Sequence, residues 1–332
     1  MKNRKLILIL AAAALASAVS CVRLEVTSPD ARNIYLSPAT QKATKGIIEG
    51  SVFPTDSSFV VSAIHTNGVY LDNLVASYDS QTGYWATASP RHWPLSGELD
   101  FYAYSPSAIA SYSGATVILD ENDGVTASAY TCDGITDFLY ASYCVDDCGS
   151  HPAAVPLVFS HALSQIAIQV KQTADYTTEI NNKSNIVSFT VDSLILKNHY
   201  ISADFAQLPE AEWSPTLSSV TGECALGGGV SLRYGDSPVQ TGRTLVIPQS
   251  LNGVVLHVVY TVTQTITDNT TSESTVLSVS TPADLELSNY LSAWECGKKY
   301  VYTLSIGLDP ITVSATTVDW VASGGEIIVE EV

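Results

Sequence analysis

The chain contains 332 residues and carries a formal net charge of −18 at pH 7, with 15 Lys and Arg against 33 Asp and Glu. An acidic surface of this kind argues against nucleic acids and anionic lipids as partners, because both are negatively charged. Only 14% of the residues are charged, against about 25% in typical globular domains, and Ser and Thr supply much of the remaining polarity, which favours solvent-facing β-strands over helices.

The N-terminus has the features of a signal peptide. Lys2, Arg4 and Lys5 precede an apolar run at residues 6–15, and small residues lead from that run to Cys21. The run is shorter than the roughly 20 apolar residues of a membrane-spanning helix. A Cys directly after small residues predicts a lipoprotein that is lipidated on Cys21 and held at a membrane by its acyl chains. The alternative is a soluble secreted protein that is cut just before Cys21.

Alternating apolar and polar residues predict β-strands along the rest of the chain. The tyrosines, leucines and isoleucine of residues 300–308 fall on one face, and residues 254–265 alternate over a length that predicts the longest strand. Further strands are predicted at residues 59–64, 99–104, 165–170, 186–191 and 194–197. The change of phase between the last two predicts a bulge at Asp192 and Ser193.

Turn residues such as Asn67-Gly68 and Asn252-Gly253 separate these segments, and no segment has helical periodicity over three turns. We therefore predict an all-β fold with two tandem β-sandwich domains. The predicted division is a signal peptide at residues 1–20, a lipidated segment with the first strand at 21–45, an N-terminal sandwich at 46–152, and a C-terminal sandwich with a terminal strand at 153–332.

The sequence has no pattern that predicts catalysis, and we expect neither an enzyme nor a cofactor. Ser160 and His161 are strand neighbours, so their side chains point to opposite faces. His257 alternates with apolar residues and fits a hydrogen-bonded histidine within a sheet. The sequence lacks the nucleophile-elbow, H-E-x-x-H and P-loop motifs. Pairs of carboxylates that are distant in sequence leave glycoside hydrolysis as an open alternative.

Two short stretches resemble metal sites, and we assign neither to a metal. Cys144, Cys148 and His151 have ligand-type side chains, but structural zinc sites usually include a second paired motif. A loop disulfide is the favoured interpretation for an exported chain. Residues 120–124 resemble a calcium loop, but Gly124 comes one place early for an EF-hand, so they predict an acidic turn.

Trp85 and Trp93 have two interpretations. Exposed rings would stack on sugars, whereas buried rings would fill a sandwich core, and the core interpretation is favoured. The exposed arrangement belongs to an alternative function, a non-polymerising surface lipoprotein that binds a glycan or a host protein.

Short motifs follow the predicted lipid Cys in a fixed order, at residues 43–46, 99–106, 157–166, 246–249, 294–304 and 318–320. Together with the signal peptide, they resemble the fimbrillin-family lipoproteins of Bacteroides-type bacteria. The resemblance implies a type V pilus subunit with two transthyretin-like sandwiches, carried to the outer membrane and the cell surface. Its partners would be other pilin subunits and a ligand on a host or bacterial surface.

The resemblance also implies a route of assembly. In polymerising members, a trypsin-like protease cuts after a basic residue and removes the lipidated first strand. A donor strand from the next subunit then fills the groove. Members that anchor the pilus keep the lipid and the first strand, and the sequence does not separate shaft, anchor and tip roles.

Three basic residues are candidate cleavage sites. A first strand is predicted around Ile34 and Leu36, with Arg32 before it and Lys42 and Lys45 after it. Cleavage at Lys42 or Lys45 would remove this strand, and cleavage at Arg32 would leave it in place.

The apolar end of the chain supplies the candidate donor strand, since an extended apolar segment can add to a sheet edge. The candidate donor residues are Ile327, Ile328, Val329 and Val332. The alternative for this segment is an ordinary final strand of its own domain.

Overall fold

A computed structural model describes residues 30–40, 53–215 and 220–320 of the chain. In these ranges the fold is all-β, which confirms the predicted fold class. The helices described are one five-residue α-helix, α1 (Ile109–Ser113), and the 3-10 turns Cys148–Ser150 and Leu287–Asn289. A search of the same ranges for a helix long and apolar enough to cross a membrane gives none.

The strands are numbered in chain order. The first nine are β1 (Leu36–Thr40), β2 (Ser58–His65), β3 (Gly68–Asp79), β4 (Tyr84–Thr87), β5 (Leu99–Ser105), β6 (Thr116–Asp120), β7 (Gly124–Thr131), β8 (Leu139–Val145) and β9 (Val155–His161). The others are β10 (Ser164–Gln172), β11 (Thr177–Ile180), β12 (Lys183–Ala206), β13 (Glu212–Ser214), β14 (Val220–Ala225), β15 (Val230–Leu232), β16 (Val239–Val246), β17 (Val255–Asp268), β18 (Ser274–Glu286), β19 (Lys298–Ile306) and β20 (Thr312–Asp319).

Hydrogen bonding groups these strands into three sheets. Seven strands form a closed sheet in the order β1-β4-β3-β2-β5-β8-β9. A four-stranded sheet has the order β16-β10-β19-β20. The third sheet has the order β18-β17-β12-β7-β6, and β11, β13, β14 and β15 also pair with β12.

The side chains of β19 alternate between two faces of the sheet, as predicted. Tyr300, Tyr302, Leu304 and Ile306 are all buried on one face of the strand. Leu308 is 61% exposed, because β19 ends at Ile306 and the chain turns away from the sheet.

The predicted bulge is confirmed, and the predicted longest strand is wrong. The pairing of β12 with β17 shifts register between Val191 and Ser193, so the two predicted strands form one 24-residue strand. β17 has only 14 residues. The bulge restores the inward phase of the apolar residues and lets β12 continue through it.

Strand pairing crosses the predicted division between residues 152 and 153. β9 follows the division but pairs with β1 and β8. β7 precedes the division but pairs with β12, with Tyr130 opposite Ala203. The predicted domain boundaries remain a prediction, and main-chain hydrogen bonds connect the segments on either side of them.

The buried side chains form three clusters. One fills the closed sheet around Phe59, Phe101 and Phe159. A second lies between the other two sheets and includes Trp294 and Tyr302. The third combines residues from both halves of the sequence, namely Val60, Tyr102, Tyr130, Phe138, Ala203, Phe205, Leu245 and Trp320 among others. The shared cluster packs the closed sheet against the rest of the molecule.

Phe59 provides a test of the core inside the closed sheet. Its side chain is fully buried, and its ring lies 5.6 Å from Phe53 and 5.3 Å from Phe159, centroid to centroid. Replacing Phe59 with Ala should lower the free energy of unfolding by about 3–5 kcal/mol, because it leaves a cavity. The control Val69→Ala, at a position that is 66% exposed, should change it by less than about 0.5 kcal/mol. Equal midpoints in urea for the two variants would contradict this assignment of the core.

Candidate functional site

β1 links the two ends of the closed sheet. It pairs antiparallel with β4, where Leu36 lies opposite Trp85, and parallel with β9, from Leu36 opposite Val155 to Thr40 opposite Phe159. In the order of the sheet, β1 is the strand between β4 and β9. Removing it would therefore leave both of these strands without a neighbour on one side.

The segment that contains β1 also supplies side chains to the core. Ile34 and Leu36 are 6% and 1% exposed, and they pack in the cluster that contains Trp85 and Phe159. Ser37, in contrast, is exposed. The two apolar side chains are spaced as i and i+2, which is the spacing of one strand face.

Main-chain hydrogen bonds hold this segment on both sides. The amide of Ile34 donates to the carbonyl oxygen of Arg91 at 2.7 Å, and the amide of Val155 donates to the carbonyl oxygen of Tyr35 at 2.8 Å. These bonds satisfy backbone groups that would otherwise be buried without partners.

Arg32, one of the predicted cleavage sites, has an exposed side chain and a fixed backbone. Its guanidinium lies 2.7 Å from the carboxylate of Asp30, and this hydrogen bond lowers the pKa of Asp30 to about 2. The carbonyl oxygen of Arg32 accepts a hydrogen bond from the amide of Trp93 at 2.8 Å, and its amide donates to Asp30 Oδ1 at 3.0 Å. The arrangement leaves the charge accessible but restrains the peptide bond that a protease would cut.

The other predicted site residues lie outside the described ranges. They are Cys21, Lys42, Lys45, Ile327, Ile328, Val329 and Val332. Their roles in lipidation, cleavage and strand donation stay predictions.

Both tryptophans that would have formed a sugar platform are buried. Trp85 is 7% exposed and Trp93 is 8% exposed, so the core interpretation is confirmed and the exposed arrangement is wrong. The ring of Trp93 stacks on His151 at 4.4 Å between centroids. Both residues, together with Arg32, border a surface pocket of about 490 Å³.

The predicted loop disulfide is wrong, since the five cysteines in the described ranges are free. Cys148 is 1% exposed within the core of the closed sheet, whereas Cys144 lies on the exposed side of β8. Cys144 Sγ instead lies 3.2 Å from Glu98 Oε1 and 3.5 Å from Asp146 Oδ1. The ligand atoms of these three residues lie within 4.8 Å of one another, so this group could hold a cation. Partial burial and neighbouring carboxyl groups raise the pKa of Cys144 far above its usual value, which favours the thiol over the thiolate.

His161 and His257, the two strand histidines considered in the sequence, both bond to aspartate side chains. His161 Nδ1 lies 2.8 Å from Asp137 Oδ2, and its ring stacks on Trp320 at 3.8 Å between centroids. His161 is 3% exposed, so it is closed to a substrate. His257 Nδ1 bonds to Asp284 on the neighbouring strand, which confirms its assignment as a hydrogen-bonded histidine within a sheet.

His199 was not identified from the sequence. It is 5% exposed, and its Nδ1 atom has no hydrogen-bond partner in the described ranges. Together with Cys132 and Cys224, it borders a cavity of about 120 Å³. Burial lowers the pKa of His199 to about 4. A single histidine within a strand carries no pattern that would have revealed this environment.

Comparison with known proteins assigns the family. The fimbrillin-like family matches residues 40–320, which is most of the chain. The chain belongs to the fimbrillin-like family. Membership indicates a subunit of pili or of cell adhesion, located at the cell surface, in a family that is typically non-enzymatic.

Solved structures share the fold of this fimbrillin-like chain. A fimbrial protein from Bacteroides vulgatus has a TM-score of 0.61 at 17% identity, covering 87% of this chain and 99% of its own. A protein from Bacteroides uniformis, proposed to act in cell adhesion, has a TM-score of 0.53 at 17% identity, with coverages of 88% and 100%. A similarly described protein from Bacteroides ovatus has a TM-score of 0.50 at 15% identity, with coverages of 89% and 100%. A search of curated proteins gives no match.

The buried His199 predicts a dependence of stability on pH. Its pKa is about 4 in the folded protein against a reference value of 6.5, so the unfolded chain binds the proton more readily. Stability is therefore lost as the pH falls from about 6.5 to 4, by up to about 3 kcal/mol from this residue. In urea titrations across this range, His199→Gln should lose less stability than the unsubstituted protein. Parallel pH profiles for the two proteins would contradict the prediction.

Proposed function

We propose that this fimbrillin-like protein is a pilus subunit that is exported as an outer-membrane lipoprotein on Cys21, loses β1 by proteolysis and joins the next subunit by donor-strand exchange. The observation that supports the proposal is the position of β1 between β4 and β9. A strand in this position is replaceable by a strand from another chain, because both of its neighbours pair with it through main-chain groups.

The end of the chain matches the side-chain requirements of the vacated position. Ile34 and Leu36 are two positions apart and face the core. Ile327 and Val329 have the same spacing, and Ile328 would point to the other face. A donor strand that contains these residues would therefore present two apolar side chains to the exposed core.

The free energy associated with this contact is large enough to sustain a filament. Burying one side chain of this size contributes about 1.5–3 kcal/mol, so two contribute roughly 3–6 kcal/mol. Main-chain hydrogen bonds to β4 and β9 add to this contribution. Since each subunit would both donate and accept a strand, the contact repeats along the filament.

Among the candidate cleavage sites, we favour Lys42 or Lys45 over Arg32. Cleavage at Lys42 or Lys45 removes β1, which ends at Thr40, whereas cleavage at Arg32 leaves β1 in place. The backbone of Arg32 is also held by hydrogen bonds to Trp93 and Asp30. Proteases cut most readily where the backbone is exposed and unpaired.

Limited digestion with trypsin tests the maturation step. The purified protein should be cut after Lys42 or Lys45, as read by N-terminal sequencing, and should then form a ladder on an unboiled SDS gel. Replacing both lysines with Gln should abolish the ladder, and the control Arg32→Gln should leave it unchanged. A cut at these lysines without a ladder would contradict strand exchange and favour an anchor or tip subunit.

Substitutions at the end of the chain test the donor strand separately. Ile327→Asp should leave cleavage unchanged but remove the ladder, because a charged side chain would enter the apolar groove. Ile328→Asp serves as the matched control, since its side chain would face away from the groove. If the two variants behave alike, the assigned face of the donor strand is wrong.

A further inference from the structure

β18 forms one edge of the third sheet. It pairs with β17 along its full length, from Ser274 opposite Thr267 to Glu286 opposite Val255, without a register shift. Within the described ranges, no strand pairs with its other side. β18 has 13 residues, so this free edge is long for a strand that is not covered.

The direction of the main-chain groups follows from the bonds at the two ends of the hairpin. The amide of Asp268 donates to the carbonyl oxygen of Glu273 at 2.9 Å, and the amide of Leu287 donates to that of Val254 at 3.0 Å. Odd-numbered residues of β18 therefore direct their main-chain groups towards β17. Alternate residues of an antiparallel strand point these groups to opposite edges. The amides and carbonyls of Val276 and Ser278, like those of the other even-numbered residues, face outward.

Residues 274–281 of β18 lack the features that usually protect a free edge. Residues 274–281 contain neither a charged residue nor Pro, although charges and Pro are the common ways to prevent pairing with another chain. Pro282 is even-numbered, so its missing N–H falls on the free edge, where Pro is tolerated. Val276, Leu277 and Val279 are 58%, 57% and 63% exposed. This part of the edge is therefore uncharged and exposes apolar side chains, in a chain of net charge −18.

We infer that β18 is a lateral docking site for a second copy of the chain, with the two β18 strands pairing antiparallel about Ser278. The two-fold axis of such a pair is perpendicular to the sheet, so residues on the same face must meet. With Ser278 opposite its own copy, Leu277 lies opposite Val279 of the second copy, and this apolar contact occurs twice. Thr275 lies opposite Thr281, and Val276 lies opposite Ser280.

The absence of charge favours a second copy over an unrelated acidic or basic partner. A cationic ligand would be expected to dock against carboxylates, and residues 274–281 carry none. Two acidic chains repel each other over most of their surface, and this uncharged edge lets them approach without placing like charges opposite one another. The pairing also satisfies the outward amides and carbonyls of Val276, Ser278 and Ser280 in both strands.

A neighbouring register is less favourable. If the strands paired about Leu277, Leu277 would meet its own copy once, and Val279 would lie opposite Thr275. The register about Ser278 gives two apolar pairs where the alternative gives one, and cross-strand apolar pairs stabilise a sheet. This difference selects Ser278 as the centre of the contact.

The contact is separate from the proposed assembly of the pilus. It uses neither β1 nor the end of the chain, and it forms between uncleaved molecules. It would join subunits side by side, whereas strand exchange joins them end to end. Tests on uncleaved protein therefore decide the lateral contact independently of strand exchange.

Disulfide trapping tests the register. Directly opposed residues of an antiparallel pair lie about 5.5 Å apart between Cα atoms when they are hydrogen-bonded, within the range that a disulfide spans. In a Cys144→Ser background, which removes the exposed thiol of the described ranges, Ser278→Cys should give a reducible dimer after mild oxidation with diamide. Ser280→Cys is the matched control, because its two copies would lie about 13 Å apart along the strands. Equal yields of dimer from both variants, or none from Ser278→Cys, would overturn the inference.

Sedimentation of uncleaved protein provides a second measurement that needs no added thiol. The unsubstituted chain should show a concentration-dependent equilibrium between monomer and dimer. Val279→Lys should weaken the dimer at least tenfold, because each Lys would lie opposite Leu277 of the other copy. Val69→Lys, at an equally exposed position on β3, should leave the equilibrium unchanged. A monomer at all concentrations, or equal effects of the two substitutions, would contradict the assigned surface.

Discussion

The closed sheet depends on one short strand. β1 supplies the pairing partner that both β4 and β9 would otherwise lack, and an unpaired strand edge exposes main-chain groups that pair readily with other chains. The same segment places Ile34 and Leu36 in the core. Any replacement must therefore meet two requirements at once: a free backbone for two neighbours, and two apolar side chains at i and i+2. In the proposed strand exchange, these requirements would make the contact between subunits both specific and durable.

β9 and the end of the described chain meet at one contact. β9 runs from its pairing with β1 to His161, whose ring stacks on Trp320 and whose Nδ1 atom bonds to Asp137. Trp320 is 1% exposed, and its amide donates to the carbonyl oxygen of Gly297 at 2.7 Å. Trp320, the last residue of the described ranges, is thus fixed against the end of β9 that lies beyond its pairing with β1.

The sequence predicts individual strands better than it predicts their partners. β19 was recognisable because its side chains alternate between a buried and a partly exposed face. β2, β5 and β10 are buried on both faces, and they were recognisable as short runs rich in apolar residues. The pairing of Tyr130 with Ala203 was not, since register between distant strands is set by tertiary packing that local pattern does not encode. Family resemblance identified the first strand as the element of interest, and in the structure this strand lies between β4 and β9.

Side-chain environments were predicted unevenly for a similar reason. The bulge after Val191 was visible as a change of phase, whereas the separation of Cys144 from Cys148 was not. The side chain of Asp147 accepts a hydrogen bond from the amide of Gly149 and caps a 3-10 turn that contains Cys148. Cys148 is buried in this turn, whereas Cys144 lies on the exposed side of β8. Spacing in sequence alone suggested a shared site, and one tight turn is sufficient to separate the two thiols.

The central claim is that β1 closes the seven-stranded sheet. Hydrogen–deuterium exchange of the backbone amides of β4 and β9, before and after removal of β1, tests it most directly. The account predicts that amides of β4 and β9, including the Val155 amide that donates to Tyr35, lose protection when β1 is cleaved away. It also predicts that protection returns when subunits assemble. Unchanged protection of β4 and β9 in the cleaved monomer would show that β1 does not close the sheet, and would contradict the account.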